Sequence, residues 1–155
     1  MQVTVIAVGH KIPAWAQTAT DDYLNRLPAE WRVTVKTPRA VDNSSAPVER
    51  VLALEGERIL AAVPDGATLV TLDERGKDFT TEALACQLAR WRDDGLAIAL
   101  VIGGANGLAP EVKARARLSL RLSSLTLPHA LARVLLAEQL YRAWSLLAGH
   151  PYHRA

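Results

Sequence analysis

The sequence predicts an α/β domain built on a mainly parallel sheet flanked by helices. Short β-branched runs alternate along the chain with amphipathic stretches of helical length. Two of the runs, ATLVTLD at 67–73 and LAIALVIGG at 96–104, are apolar without polar alternation, as strands covered on both faces are. The chain has 155 residues, 50% of them hydrophobic and 22% charged, with a mean hydropathy of +0.07. That is material for one compact core, so residues 1–155 are expected to form a single domain.

Taken in order, QVTVIAV at 2–8 is a β-branched run closed by Gly9 and reads as a buried strand. Pro13 suits a first helical turn, and Trp15, Leu24 and Leu27 are expected near one helical face before Pro28 ends it. WRVTVKT at 31–37 alternates like a second strand, and the turn-rich PRAVDNSSAP at 38–47 reads as a mobile loop. A helix from about 48 to 63 follows, with an amphipathic pattern that stops before Pro64 and Gly66. The strand at 67–73 leads into the polar segment ERGKDF, and a helix capped by Thr80 or Thr81 runs to Asp94, with Glu82 in its first turn and Gly95 just beyond. The strand at 96–104 enters the glycine-rich loop GGANG. Beyond Pro110 a helix to about Leu118, a short strand around Leu120 to Leu127 and a last helix from about Ala130 to Ala148 complete the order.

That last helix carries Leu131, Val134, Leu135, Leu136, Leu140, Tyr141, Trp144, Leu146 and Leu147, too many for one stripe, with only Arg133, Glu138 and Arg142 charged. A helix apolar nearly all round must be covered on two sides. A symmetric homodimer through this helix is the expected solution, with complete burial inside one subunit as the alternative.

Several classes are excluded or disfavoured. The lone Cys86 cannot form an intramolecular disulfide or a cysteine-rich zinc site, and within its helix it reads as small-residue packing. The N-terminus lacks a basic region and a cleavage site, and no run has the length of a membrane span, so a cytoplasmic protein without a membrane partner is expected. No HExxH spacing calls for a metal, and no Ser-His-Asp order suggests acyl transfer.

The net charge of +2 hides an asymmetry. Residues 1–109 hold eleven Lys/Arg against fourteen Asp/Glu, a balance of −3; residues 110–155 hold seven against two, a balance of +5, together with three of the four histidines. A basic end suits a polyanionic partner such as nucleic acid, although an excess of solvated arginines would look the same.

In an open α/β sheet, ligands bind beyond the carboxyl ends of strands. Three such ends stand out: Leu72 with Asp73, Gly103 with Gly104, and Leu122 to Leu127 before His129. The glycines would let backbone approach a ligand, or would simply make a tight turn, since IGGANG is neither GxGxxG nor a Walker sequence. Asp73 reads as a turn residue in preference to a polar handle. In the tail, His150 alone reads as solvated. HPYHR as a unit is a stiff, stacking-capable segment suited to an unpaired base, and His129, Arg133 and Arg142 add imidazole and cation chemistry nearby.

The segment SSLTLPHALARVLLAEQLYRAWSLLAGHPYHR, together with VIGGANGL, VTLDERGK and the opening IAVGHK, resembles the RlmH family, the ribosomal RNA large-subunit pseudouridine N3-methyltransferases of the SPOUT class. The similarity spans the whole chain. It implies a homodimeric SPOUT-type α/β fold with a C-terminal trefoil knot, the knotted cofactor-binding part covering about 67–155. It also implies methylation of ring nitrogen 3 of a pseudouridine in 23S rRNA of the assembled ribosome, with S-adenosyl-L-methionine as methyl donor. Carried onto matching positions, the resemblance places the cofactor at Leu72, Gly103, Gly104, Leu122, Ser123, Ser124, Leu125, Thr126 and Leu127, the three strand ends already singled out. It places His129, Arg142, Tyr152, His153 and Arg154 around the target base; RNA contacts are expected for Arg133 and Arg154. His153 or His129 is expected to take the imino proton while Arg142 stabilises the resulting charge. A non-catalytic RNA- or ribosome-binding module is the competing reading.

Overall fold

A computed structural model of the chain describes residues 1–9, 11–42 and 45–154. The loop expected at 38–47 therefore includes two residues, Asn43 and Ser44, outside the described set. The elements are β1 (Gln2–Ala7), α1 (Ala14–Asn25), β2 (Arg32–Lys36), α2 (Val48–Ala62), β3 (Thr68–Asp78), α3 (Thr81–Asp93), β4 (Ile98–Ile102), α4 (Pro110–Arg115), β5 (Leu118–Arg121), α5 (His129–Ala148) and a 3-10 turn at Pro151–His153. The five strands form one sheet in the order β2-β1-β4-β3-β5, every pair parallel.

Both faces of this sheet are covered, as the unalternating apolar runs predict. In β4, Ile98, Leu100 and Ile102 join one core while Ala99 and Val101 join the other. The first core receives Leu84, Leu88 and Trp91 of α3 and Leu136, Leu140 and Ala143 of α5; the second receives Ile59 of α2 and Val112 of α4. Each such aliphatic side chain withdrawn from water contributes about 1.5–3 kcal/mol. Thr80 Oγ1 accepts the Ala83 backbone N–H at 3.1 Å, and Gly95 takes a positive φ of 68° just past α3, so both ends of that helix lie where the sequence sets them.

Four expectations need correction. First, β3 does not end at Asp73. Its register with β5 shifts between Leu72 and Lys77, and pairing resumes with Lys77 opposite Leu120 and Asp78 opposite Arg121. The polar ERGKD stretch hides a strand because its extension pairs on one side only and faces water. Here Gly76 passes so close to β5 that a Cβ would stand 2.5 Å from the Leu120 carbonyl carbon. Second, the last strand is Leu118–Arg121, not Leu120 to Leu127, because its ladder runs out at Asp78; α4 correspondingly stops at Arg115. Third, Trp15 is 55% exposed, whereas Leu24 and Leu27 pack on the core. Nine residues at 100° each put Trp15 on the opposite side of α1 from Leu24. Fourth, Cys86 is exposed, because Leu84, Ala85, Leu88 and Trp91 form the buried face of α3.

The last helix finds two flanking neighbours within its own chain: α5 packs against both α1 and α3. Leu131 and Leu135, one turn apart, nevertheless stay 40% and 36% exposed. Among the described residues no helix is long and apolar enough to cross a membrane.

Candidate active site

The bulge in β3 and the carboxyl ends of β4 and β5 converge on one cavity of about 620 Å³. β3 contributes Leu72, Asp73 and the first bulge residues Glu74 and Arg75; β4 contributes Ile102 and then Gly103 and Gly104. The segment after β5 contributes Leu122, Ser123, Leu125, Thr126 and Leu127, and His129 with Ala132 close the cavity from the first turns of α5. Of the cofactor positions expected from the sequence, only Ser124 is not part of this lining; it lies exposed on the same segment.

The glycine loop is a tight turn and also lines the cavity. Gly107 donates its N–H to the Gly104 carbonyl at 3.0 Å and holds φ at +84°. The turn is so narrow that a Cβ on Gly103 would stand 2.5 Å from the Gly107 carbonyl oxygen. Asp73 is the turn residue expected, accepting the Arg75 N–H at 2.8 Å, and it also lines the cavity while paired with Lys113 of α4 at 3.0 Å. Burial pushes its carboxyl up, but the Arg75 N–H and Lys113 outweigh that and hold it below the ordinary value. Lys113 was not legible as a site residue, since only the packing of α4 beside β3 brings it there.

His129 is the most informative side chain. Its Nδ1 lies 3.1 Å from the Gly103 carbonyl oxygen, which can only accept, so Nδ1 carries the hydrogen and Nε2 keeps its lone pair. Nε2 is buried without a partner, and a Cβ on Gly9 would stand 3.6 Å from it. Burial, then the charge of Arg133, hold this imidazole below its ordinary pKa, against the opposing Gly103 hydrogen bond. His129 is thus a neutral ring with a free acceptor nitrogen at the rim of the cavity. Arg133 itself is only 3% exposed, with Nε and one terminal nitrogen unpartnered, because it falls on the buried face of α5 with Leu136 and Ala137. It does not reach the surface as an RNA contact would.

The remaining expected residues assemble elsewhere, around the second half of α5. Glu138 accepts from Arg142 Nε at 2.7 Å, from Gln139 at 2.8 Å and from the Tyr152 hydroxyl at 3.1 Å. The Arg142 guanidinium lies 4.9 Å from the centre of the Tyr152 ring, which meets Tyr141 edge-on at 4.6 Å. Burial raises the Tyr152 phenol well above its ordinary pKa, aided by hydrogen bonding to Tyr23 and by the Glu138 charge. His150 is not a solvated residue: its Nδ1 accepts the Tyr152 N–H at 3.2 Å and its ring packs on Trp144 at 5.4 Å. His153 Nδ1 is buried without a partner, and Arg154 is exposed. Glu138, the hub, carried no signal in the sequence beyond its i,i+4 spacing to Arg142.

These two clusters are far apart. From His129 to Arg142 is thirteen positions along one continuous helix, roughly 20 Å at 1.5 Å per residue. Neither Arg142, Tyr152 nor His153 lines the cavity that holds Gly103 and His129. Among the described residues no group of three or more His, Cys, Asp or Glu side chains could hold a metal ion.

A family model described as "Predicted SPOUT methyltransferase" matches residues 1–153. The chain is 54% identical over 155 residues to the ribosomal RNA large subunit methyltransferase H of Paraburkholderia xenovorans (strain LB400), covering 99% of both chains. It is 52% identical to proteins of the same name from Polynucleobacter asymbioticus, over 99% of both chains, and Burkholderia thailandensis, over 100% of both. A solved structure of a probable methylase family protein from Haemophilus influenzae Rd KW20 superposes with a TM-score of 0.55 at 14% identity, covering 97% of this chain and 67% of that one, a likeness of fold alone.

Proposed function

The chain belongs to the SPOUT methyltransferase family, and from that premise we propose that it methylates ring nitrogen 3 of a pseudouridine in 23S rRNA of the assembled, cytoplasmic ribosome, as a homodimer with S-adenosyl-L-methionine as donor. The names of the relatives support ribosomal RNA as the substrate. The observation that carries the homodimeric site is the roughly 20 Å between the two clusters on α5. One chain alone cannot bring Arg142, Tyr152 and His153 to the cavity beside His129. A two-fold axis crossing α5 reverses the direction of the second copy and lays its basic-aromatic block beside the first copy's cavity. Leu131 and Leu135 of α5 and Trp15 of α1 are the exposed apolar residues such an interface would cover.

The cavity suits the donor. It is of ordinary ligand size, with leucine walls from β3 and the segment after β5 and glycine backbone along one side. Leu72, Gly103, Gly104 and the 122–127 segment would hold S-adenosyl-L-methionine, which supplies an activated methyl group. All of them fall within 67–155, the part in which the family resemblance expects the trefoil knot. The protein has three tasks of its own: to orient the target nitrogen, to exclude water, and to remove the imino proton. His129, neutral and with Nε2 free, is equipped to accept that proton; His153, whose Nδ1 is also unpartnered, is the other candidate. Arg142, held in place by Glu138, would offset the negative charge left on the ring.

Mixing a cofactor-defective Gly103→Ala chain with an Arg142→Ala chain tests the composite site, because one of the two sites in a mixed dimer is then intact. Activity above that of either variant alone is expected; none in any mixture would overturn the reading. Single-turnover methylation of ribosomes by Arg142→Ala and His153→Ala should be strongly slowed in at least one case. Titration of the wild type with S-adenosyl-L-methionine separates this reading from a non-catalytic RNA module, which would release no heat.

A further inference from the structure

A second cavity, of about 520 Å³, lies at the carboxyl ends of β1 and β2, and its lining includes Gly9, Lys11, Arg39, Asp42 and Arg58. Three cations against one carboxylate is notable here, because residues 1–109 are acidic as a whole, with fourteen acids to eleven bases. The positive charge is concentrated at this place and is not a property of the region.

The cavity is a shaped one. Arg58 donates to the Arg39 carbonyl at 2.8 Å and to the Ala40 carbonyl at 3.4 Å, which fixes the segment after β2. The buried Glu55 carboxylate accepts the Val41 N–H at 3.4 Å from beneath. Arg58 is thereby spent on structure, whereas the exposed Lys11 and Arg39 have no ion-pair partner among the described residues. Two exposed cations without an ion-pair partner at one concave rim, in excess over the single Asp42 carboxylate, suit an anion.

This cavity also adjoins the first. Gly9 lines it, and a Cβ on Gly9 would stand 3.6 Å from His129 Nε2; a Cβ on Gly104 would stand 3.3 Å from a Glu55 carboxylate oxygen. The two cavities share no lining residue but stand back to back, with Gly9 of this one against the His129 ring of the first. We propose that the cavity at the ends of β1 and β2 binds the RNA backbone, with Lys11 and Arg39 each neutralising a phosphate of the nucleotides that flank the modified base. The inference rests on the ribosomal RNA reading and adds to it the place where the backbone is held while the base turns toward His129.

The test compares the wild type with the double variant Lys11→Gln/Arg39→Gln and with the charge-keeping Lys11→Arg/Arg39→Lys. Ribosome methylation gives KM and kcat, and binding of a stem-loop RNA across a series of KCl concentrations gives the salt dependence. Two lost phosphate contacts should lower the slope of log K against log salt by about 1.4–1.8 and raise the ribosome KM roughly tenfold. The loss should fall on KM more than on kcat, and the charge-keeping variant should restore both readouts. An unchanged KM and slope in the glutamine variant, or an equal loss in the charge-keeping one, would overturn the phosphate site while leaving the methyltransferase reading intact. A wild type that methylates no ribosomes would instead overturn both.

Discussion

Replacing Gly103 by alanine separates a cofactor wall from a mere turn. The added Cβ would stand 2.5 Å from the Gly107 carbonyl oxygen and 2.8 Å from its carbon, and both are backbone atoms that cannot rotate away. Ordinary van der Waals contact begins at 3.4 Å, so the two sides of the loop must part by roughly 0.9 Å. The shift would also disturb the Gly103 carbonyl that orients His129 at 3.1 Å. Overpacking of this kind costs about 1–3 kcal/mol, and a factor of ten in affinity is about 1.4 kcal/mol. If the native loop is the shape that binds, the Kd for S-adenosyl-L-methionine should rise between about fivefold and a hundredfold. Isothermal titration measures this, with circular dichroism to show that the variant folds. Gly104→Ala is the internal comparison: its Cβ meets the Glu55 side chain at 3.3 Å, a contact that can yield, so its effect should be smaller. A Gly103→Ala protein that binds the donor within twofold of the wild type would refute the reasoning.

Other outcomes follow from the same geometry. Because the folded protein holds His129 below its ordinary pKa, the unfolded chain binds the extra proton first as pH falls. The stability from the neutral ring is therefore complete above about pH 6.5 and is lost as pH falls through the lower folded value. Melting temperatures from pH 8 to pH 5 should drop more steeply for the wild type than for His129→Gln, and parallel curves would contradict this. Glu138→Ala removes the acceptor shared by Arg142 and Tyr152, two hydrogen bonds of about 1–3 kcal/mol each. Carboxypeptidase should then digest the tail faster and ribosome methylation should fall by at least tenfold, whereas an equally protected tail would show that aromatic packing alone docks it. Gly76→Ala forces a Cβ to 2.5 Å from the Leu120 backbone. A loss of about 1–3 kcal/mol, near 2–4 °C of Tm per kcal/mol, is expected, and an unchanged Tm would mean that β3 and β5 separate freely there.

Much of this protein is determined by the sequence alone. Unalternating apolar runs announce a sheet buried on both faces, and the cap residues of α3 mark its ends. The strand-end rule selects Leu72, Gly103 and the 122–127 segment before any fold is known, and they do gather around one cavity, although Leu72 stands at the β3 bulge and not at that strand's end. Local polarity, by contrast, misleads at 74–78, where a one-sided strand pairing looks like a connection, and at Cys86 and Trp15, whose facing depends on which side of a helix the sheet covers. The last helix, expected from the sequence, already puts His129 and Arg142, neighbours in one motif block, roughly 20 Å apart, but only the tertiary structure decides that the cavity gathers around the first and the tail cluster around the second. The tertiary structure alone buries His129 and sets the Arg133 charge near it, both lowering its pKa, makes Glu138 the hub of the tail, and sets Lys11 beside Arg39 on adjacent strand ends. Periodicity and propensity act over a few residues, whereas burial and charge pairing depend on which distant segments meet, and that is fixed only when the whole sheet and its helices pack.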